Sequence, residues 1–250
     1  NAVIGNRISG SRYGIHCMFT SGAVVRDNSG YANVTGAMIM GVDDAEVIGN
    51  TFAKMSENVI SQGILLFDVH TSRIRDNRVE GNRVGFYIEQ SSRNELSNNQ
   101  VVRNFVGIQL LESESNLFTA NDFAGNVIEA EASDSADNRL SGNYWEAFSG
   151  IDADGNGASD IPYRLTPFFQ RLCADSPAFQ LFFRSPGMAF TESLFTDGQA
   201  DWSYDERPLM RPVSGSMQME EPRGSGRALV LSLALLAGSI TVIGWGGIRT

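Results

Sequence analysis

The sequence is poor in positive charge and in the residues that build disulfide frameworks. Its 250 residues contain 19 Lys and Arg against 29 Asp and Glu, and Lys54 is the single lysine. Because phosphate backbones bind concentrated positive charge, this balance argues against nucleic acid as a partner. Cys17 and Cys173 are the only cysteines, and neither lies in a CxxC pair. Their number and spacing exclude a disulfide framework and a zinc or redox motif of that type.

The two ends of the sequence carry separate signals. It begins with Asn1 in the middle of a repeat, which predicts a C-terminal fragment whose signal peptide, if one exists, is missing. Residues 228–248 carry no formal charge and are long enough to cross a bilayer as a helix. We predict a transmembrane helix there, after a Pro-, Gly- and Met-rich linker at 213–227; a buried core helix is the alternative.

An internal repeat of 22 residues organises most of the chain. One column of asparagines closes a short polar turn in each repeat, with one interval of 27 residues: Asn6, Asn28, Asn50, Asn77, Asn99, Asn121 and Asn143. A glycine column follows it: Gly14, Gly36, Gly63, Gly85 and Gly107. A second asparagine column contains Asn94, Asn116 and Asn138. Repeats of this length predict a solenoid whose turns stack on one another.

The composition of each repeat predicts its local structure. Short β-branched or aromatic runs alternate with Gly, Asn and Ser, as expected for strands of about three to five residues joined by turns. Asparagine tolerates the left-handed conformation of such turns, and stacked amides can hydrogen-bond between turns. We therefore predict an all-β, right-handed parallel β-helix over residues 1–150. An Asp/Gly turn and an irregular capping extension are expected over 151–212, because an open last turn would expose strand edges.

Strand alternation separates inward from outward positions. The first and third residues after each glycine are apolar throughout, so we expect them in the core. The first column contains Ile15, Ala37, Ile64, Phe86 and Ile108, and the third contains Cys17, Ile39, Leu66, Ile88 and Leu110. The intervening outward columns contain His16, Met38, Leu65, Tyr87 and Gln109, then Met18, Met40, Phe67, Glu89 and Leu111.

Three thioethers and one imidazole meet on this outward face. The register places His16 beside Met38 and Met18 beside Met40, and such soft donors favour copper(I) over zinc, calcium or magnesium. The alternative is that the methionines are packing filler beneath a loop or partner. The columns continue into Leu65, Phe67 and Tyr87, an apolar stripe that indicates a partner-binding surface.

A second candidate metal site follows the last turn. Asp152, Asp154 and Asn156 alternate before a glycine, and Asp160 comes shortly after, which matches most of an EF-hand calcium loop. The twelfth position is Tyr163 rather than the expected glutamate. Calcium binding and a polar turn that caps the solenoid both remain open.

The segments GIHCMFT at 14–20, AMIM at 37–40 and NYWEAFSGIDADGNGASDIPYR at 143–164 resemble the NosD family. The resemblance covers residues 1–212 and lacks the family's N-terminal repeats. It implies a periplasmic accessory protein, with no enzymatic activity, that supplies copper to nitrous oxide reductase. The implied partners are that reductase, an ABC-type ATPase and permease, and a copper chaperone lipoprotein. The span at 228–248 departs from the purely periplasmic picture and would anchor the protein in the inner membrane.

Two other function classes stay open on the residues alone. Parallel β-helices commonly carry polysaccharide lyases, epimerases and glycosidases, which need clustered acids on one groove. Asp43, Asp44 and Glu46 lie on a turn, and Glu89 and Glu112 lie one turn apart among hydrophobic neighbours, so no catalytic pair stands out. A purely structural surface protein without a ligand is the third class.

Overall fold

The computed structural model describes residues 1–53, 60–165 and 204–215, with single positions at 172, 176, 178, 179, 187, 191 and 194. Residues Asn1–Ser214 form one compact unit. Within the described residues, no helix combines the length and apolar content needed to cross a membrane. The predicted membrane helix 228–248 lies outside the described residues, as do most of the linker 213–227 and most of 166–203.

Each turn of the chain contributes three short strands, which pair with the strands of neighbouring turns to form three sheets. Sheet A contains β1 (Ala2–Ile4), β4 (Val24–Arg26), β7 (Glu46–Ile48), β10 (Arg73–Arg75), β13 (Glu95–Ser97), β16 (Leu117–Thr119), β19 (Arg139–Ser141), β22 (Tyr204–Asp205) and β21 (Tyr163–Arg164). Sheet B contains β2 (Arg7–Ser9), β5 (Ser29–Tyr31), β8 (Thr51–Ala53), β11 (Arg78–Glu80), β14 (Gln100–Val102), β17 (Asp122–Ala124) and β20 (Tyr144–Trp145). Sheet C contains β3 (Tyr13–Ser21), β6 (Thr35–Asp43), β9 (Gln62–His70), β12 (Val84–Glu89), β15 (Val106–Leu111) and β18 (Ile128–Ser133).

The pairing confirms the predicted all-β, right-handed parallel β-solenoid of about six turns. Register partners lie 22 residues apart, as in Val24 and Glu46, or 27 apart across the long turn, as in Glu46 and Arg73. Strands in sheets A and B have about the predicted length, but β3, β6 and β9 reach nine residues. They are longer because pairing continues past a left-handed residue near the end of each strand.

The core runs along the inside of the three sheets. Both predicted inward columns are buried, from Ile15 at 4% exposure to Leu110 at 5%. The largest fully buried side chains among the described residues are aromatic, and Phe123 stacks on Trp145 with ring centroids 4.1 Å apart. Cys17 is buried among these residues, and burial raises the pKa of its thiol. Its interpretation as a small core residue is therefore confirmed.

The first asparagine column forms a continuous hydrogen-bonded ladder at the corner between sheets A and B. Asn99 is typical: its Nδ2 donates to Asn121 Oδ1 at 2.9 Å and to Ile74 O at 2.8 Å. Its Oδ1 accepts from both the backbone nitrogen and Nδ2 of Asn77 at 3.0 Å. The second predicted column stacks in the same way at the corner between sheets C and A, for example from Asn94 to Asn116.

The left-handed residue of each corner is not the ladder asparagine itself. Positive φ falls on the residue just before it, as in Asp27 before Asn28 (φ 55°) and Asp76 before Asn77 (φ 58°). The idea that the asparagines adopt this conformation was therefore wrong. The preceding residue turns the chain, which leaves the asparagine side chain directed inward to bond the next turn.

The glycine column marks a close approach between backbones. A Cβ at Gly85 would lie 2.7 Å from the carbonyl oxygen of Gly107, and a Cβ at Gly14 would lie 2.6 Å from that of Gly36. Side chains do not tolerate such distances, so only glycine lets successive turns stack here.

An ion cluster lies on the outer face of sheet B. Arg78 and Arg103 both donate to the Glu80 carboxylate. Burial raises the pKa of Glu80, but the hydrogen bonds from Arg103 and Arg78 outweigh it and leave the pKa below its usual value. The cluster links β11 to the next turn from outside the core.

Asp205 closes the last turn by taking the place of the next ladder asparagine. Its Oδ2 accepts from Asn143 N (2.9 Å), Asn143 Nδ2 (2.8 Å) and Trp145 Nε1 (3.1 Å), and its Oδ1 accepts from Gly142 N (2.9 Å). Leu209 N then donates to Asn143 O at 2.8 Å. This part of the predicted capping extension thus provides hydrogen-bond partners for the groups of Gly142 and Asn143 at the end of the solenoid.

Candidate functional site

The outward face of β3 and β6 brings the predicted donors together. His16 is the register partner of Met38, and Met18 is the register partner of Met40, which confirms the predicted pairing. In-register neighbours on adjacent strands lie about 4.8 Å apart, and residues i and i+2 about 6.5–7 Å apart. The four side chains therefore project from the corners of a small rectangle on one face of sheet C, here called the donor patch.

Accessibility varies across the donor patch. Met18 is 48% exposed and His16 is exposed, whereas Met38 and Met40 are half-buried. The Tyr13 ring packs against His16 with ring centroids 5.1 Å apart, and the Arg12 guanidinium lies over Tyr13 at 5.4 Å. The imidazole thus has a packing partner on β3, while the thioethers stay open to a ligand on their outer side.

The donor set matches the chemistry of a soft, monovalent metal ion. Thioether sulfur and neutral imidazole bind Cu(I) well, whereas calcium and magnesium need oxygen ligands. A thioether has no proton to lose, so it can bind a metal ion without releasing a proton. The donor patch therefore offers ligands of the type that Cu(I) prefers.

The apolar stripe below the donor patch is less exposed than expected. Leu65, Phe67 and Tyr87 are half-buried. In-register parallel strands explain this difference, because each side chain is covered by its neighbours in the column above and below. Tyr87 donates to Glu89 Oε2 at 3.0 Å. Burial, with this hydrogen bond and the negative charge of Glu89, raises the pKa of Tyr87 to about 12.

The Asp/Gly turn forms a compact acidic cluster. Asp152, Asp154 and Asp160 each offer a carboxylate oxygen, and these oxygens lie within 4.8 Å of one another. Backbone hydrogen bonds from Gly157, then Gly155 and Asn156, lower the pKa of Asp152 below its usual value. Asn156 Nδ2 donates to Asp154 Oδ2 at 2.7 Å, so its amide braces the cluster.

The departure at the twelfth loop position has a structural explanation. The Tyr163 ring packs against Phe148, with centroids 4.9 Å apart, and against Trp145, with centroids 5.6 Å apart. Tyr163 therefore belongs to the aromatic packing at the end of the solenoid rather than to the acidic cluster.

The acids considered for carbohydrate chemistry have separate partners. Glu46 forms an ion pair with Arg26 at 3.1 Å, and Asp44 Oδ1 accepts from Thr71 Oγ1 at 2.8 Å. Glu112 Oε2 accepts from Gln90 Nε2 at 2.8 Å. Asp43 lies in register with His70. None of these contacts joins two of the acids into a pair.

Sequence reasoning missed the surroundings of His70. Its Nε2 lies 3.1 Å from Asp68 Oδ1 and its Nδ1 lies 2.9 Å from Ser92 Oγ. The signal was present, because Ser92 follows His70 by one 22-residue repeat. Ser92 is 7% exposed, so its hydroxyl serves to hold the ring across the corner.

Comparison with known proteins identifies the family to which the solenoid is similar. The family model described as periplasmic copper-binding protein (NosD) matches residues 1–150. A search of curated proteins found no match. Among solved structures, a mutant of the periplasmic alginate epimerase AlgG is similar, with a TM-score of 0.39 and 18% identity. That similarity covers 62% of this chain and 40% of the epimerase chain. The family match spans 150 of the 250 residues and contains the whole donor patch, and the chain belongs to the NosD family.

Proposed function

We propose that this chain is a periplasmic accessory protein, without enzymatic activity, that carries Cu(I) as cargo on the donor patch. The observation that supports this most is the register that sets His16 beside Met38 and Met18 beside Met40 on one outward face. Membership of a family described as periplasmic and copper-binding supports the same conclusion. Three thioethers and one imidazole at adjacent outward positions are the donors that Cu(I) accepts.

The exposure of the donors suits transfer rather than permanent storage. Met18 and His16 lie at the accessible side of the patch, while Met38 and Met40 are half-buried. An incoming thioether or thiolate from a donor protein can reach the exposed side first. Ligand exchange can then proceed one bond at a time, because the half-buried Met38 and Met40 keep hold of the ion.

The proposed partners follow from the family. We propose that copper passes through this protein to the copper-sulfur centre of nitrous oxide reductase, with an ABC-type ATPase and permease and a copper chaperone lipoprotein as further partners. The stripe at Leu65, Phe67 and Tyr87 adjoins the donor patch and is the proposed docking surface. Residues 228–248 are the proposed anchor in the inner membrane.

A Cu(I) competition titration on the full chain tests the proposal. The wild type should bind about one equivalent, and His16→Ala/Met38→Ala should weaken binding by at least about tenfold. Gln109→Ala is the matched control, because Gln109 lies further down the same outward column. Equal affinity in the double variant and the control would place copper elsewhere, and no binding by the wild type would contradict the proposal.

A second proposal concerns the acidic cluster at Asp152, Asp154 and Asp160, with Asn156 beside it. We propose that it binds calcium and thereby fixes the end of the solenoid. The close approach of three carboxylates favours this, and so do the hydrogen bonds that join the loop to the closing segment, from Ser159 N to Pro208 O and from Met210 N to Gly157 O. Calcium should raise the thermal midpoint of the wild type but not of Asp154→Ala. An equal midpoint with and without calcium would make the loop a polar turn only.

A further inference from the structure

Phe19 has an unusual backbone for its residue type. It lies near the end of β3 with φ 50°, and 72% of its surface is exposed. The left-handed region is disfavoured for bulky L-residues because Cβ approaches the following carbonyl oxygen. Such strain concentrates at functional sites, where the surrounding structure holds it in place.

The same corner of the other turns shows that the fold does not require a phenylalanine. All the equivalent positions are left-handed, and they contain glycine or polar residues: Gly41 (φ 59°), Asp68 (φ 54°), Gln90 (φ 50°), Glu112 (φ 47°) and Asp134 (φ 48°). Polar side chains and glycine suit both this conformation and an aqueous surface. Phe19 is the one large apolar residue of the column, and it occurs in the turn that carries His16 and Met18.

The Phe19 ring is directed toward the neighbouring turn at the end of the thioether pair. A Cβ at Gly41 would lie 2.6 Å from Phe19 Cδ1 and 2.9 Å from Cε1, so the missing side chain of Gly41 makes room for the ring. Phe19 follows Met18, and Gly41 follows Met40. On the next strand, Phe67 is the register partner of Met40. Phenyl groups therefore border the pair Met18 and Met40 at its strand end and on the following turn.

We propose that Phe19 is a positioning residue of the copper site, a step that rests on the proposed copper function. Its ring covers the strand end of the Met18 and Met40 pair and keeps water from the bound ion. Aromatic rings attract both thioether sulfur and monovalent cations, so the ring holds the two methionines in their binding conformation. The apolar shell around a metal ion also limits access by competing ligands, which slows release of the ion.

The test uses Phe19→Asn in the full chain. Asparagine adopts the left-handed conformation readily, so the variant should keep or raise the thermal midpoint while it loses the ring. Cu(I) affinity is measured by competition, and release by the rate at which bathocuproine disulfonate withdraws the ion. We expect affinity about tenfold weaker and withdrawal about tenfold faster, a loss usual for residues that support metal ligands. Phe19→Tyr should restore both values.

Gln90→Asn is the matched control, since Gln90 occupies the same column away from the donor patch. If Phe19→Asn matches the wild type in both measurements, the role of Phe19 is overturned while the copper function stands. Equal losses in Phe19→Asn and Gln90→Asn would also overturn it, because the effect would then belong to the corner in general. A wild type that binds no Cu(I) would remove the proposed function and this inference together.

Discussion

The asparagine ladder between sheets A and B should be the largest single polar contribution to the stability of the solenoid. Replacing Asn99 by Ala in the middle of the ladder tests this. The substitution removes two hydrogen bonds from Nδ2, to Asn121 Oδ1 and Ile74 O, and two accepted by Oδ1 from Asn77. Asn99 is 1% exposed, so water cannot replace these partners.

The expected magnitude follows from the count of lost bonds. A typical intramolecular hydrogen bond contributes about 1 kcal/mol net, and a buried group left without a partner costs about 1–3 kcal/mol. With four bonds lost, and the buried backbone nitrogen of Asn77 left without its acceptor, we expect Asn99→Ala to lower the free energy of unfolding by about 4 kcal/mol. This is a large fraction of the 5–15 kcal/mol usual for a domain.

Urea denaturation followed by circular dichroism measures the change, with the slope of the transition checked for constancy. Asn6→Ala is the matched control, because among the described residues the Asn6 side chain makes two hydrogen bonds, to Ile4 O and Asn28 Oδ1, whereas that of Asn99 makes four. Its loss should be about 1 kcal/mol. Equal losses in the two variants would refute the reasoning, because the interior ladder bonds would then contribute no more than a surface contact.

Gly85→Ala should lower the free energy of unfolding by about 2–3 kcal/mol, because its Cβ would meet the Gly107 carbonyl oxygen, as urea denaturation will show. The pKa of Glu80 is lower in the folded protein than in the unfolded chain, where it is about 4.3. The ionised Glu80 therefore contributes its full stabilisation above about pH 4.3, and this contribution is lost as the pH falls through the folded pKa. Glu80→Gln should therefore lower stability at neutral pH and lose less on acidification than the wild type. The pKa of Tyr87 is raised to about 12 in the folded protein, against about 10 in the unfolded chain. The neutral phenol therefore stabilises the fold below about pH 10, and this contribution is lost as the pH rises toward 12. In a spectrophotometric titration, the phenolate absorbance of Tyr87 should appear only near pH 12.

Each of these predictions has a control. Gly215→Ala should leave the free energy of unfolding almost unchanged, since no atom lies within 4 Å of a Cβ built there. If Gly85→Ala changes the free energy of unfolding as little as Gly215→Ala does, the close approach at Gly85 does not limit stability. If the free energy of unfolding of Glu80→Gln falls with pH as steeply as that of the wild type, the ion cluster at Glu80 does not contribute the predicted stability. Subtracting the titration of Tyr87→Phe isolates the Tyr87 signal, and a midpoint near 10 would contradict the account of its surroundings.

Much of the fold could be predicted because the repeat is written in residue types with strict stereochemical roles. The glycine column gave the register of the sheet C strands β3, β6, β9, β12 and β15. Strand alternation then separated the inward Ile15 and Cys17 from the outward His16 and Met18. A third ladder, at the corner between sheets B and C, escaped notice. It contains Asn82, Asn104 and Asn126, which bond from turn to turn. In the earlier turns the same column holds Ser11, Asn33 and Ile60, so the asparagine spacing is broken there.

Other features could not be read from the sequence because they depend on distant segments. Asp205 caps a ladder that ends at Asn143, 62 residues earlier, and an aspartate breaks the asparagine pattern that would have revealed it. The exposure of Phe67 and Tyr87 was overestimated because alternation gives the direction of a side chain but not its cover by neighbouring turns. The unusual backbone of Phe19 is likewise visible only once the corner is built.

The central claim is that one Cu(I) ion binds to the thioethers and imidazole of the donor patch. X-ray absorption at the copper edge of the loaded full chain tests it most directly, beside Met18→Leu/Met40→Leu, which keeps side-chain volume but removes sulfur. Copper bound at the donor patch should show a first shell dominated by sulfur with one imidazole nitrogen, and the sulfur signal should fall to that of the single remaining thioether, Met38, in the double variant. A shell of nitrogen and oxygen alone, or a sulfur signal unchanged in the variant, would contradict it.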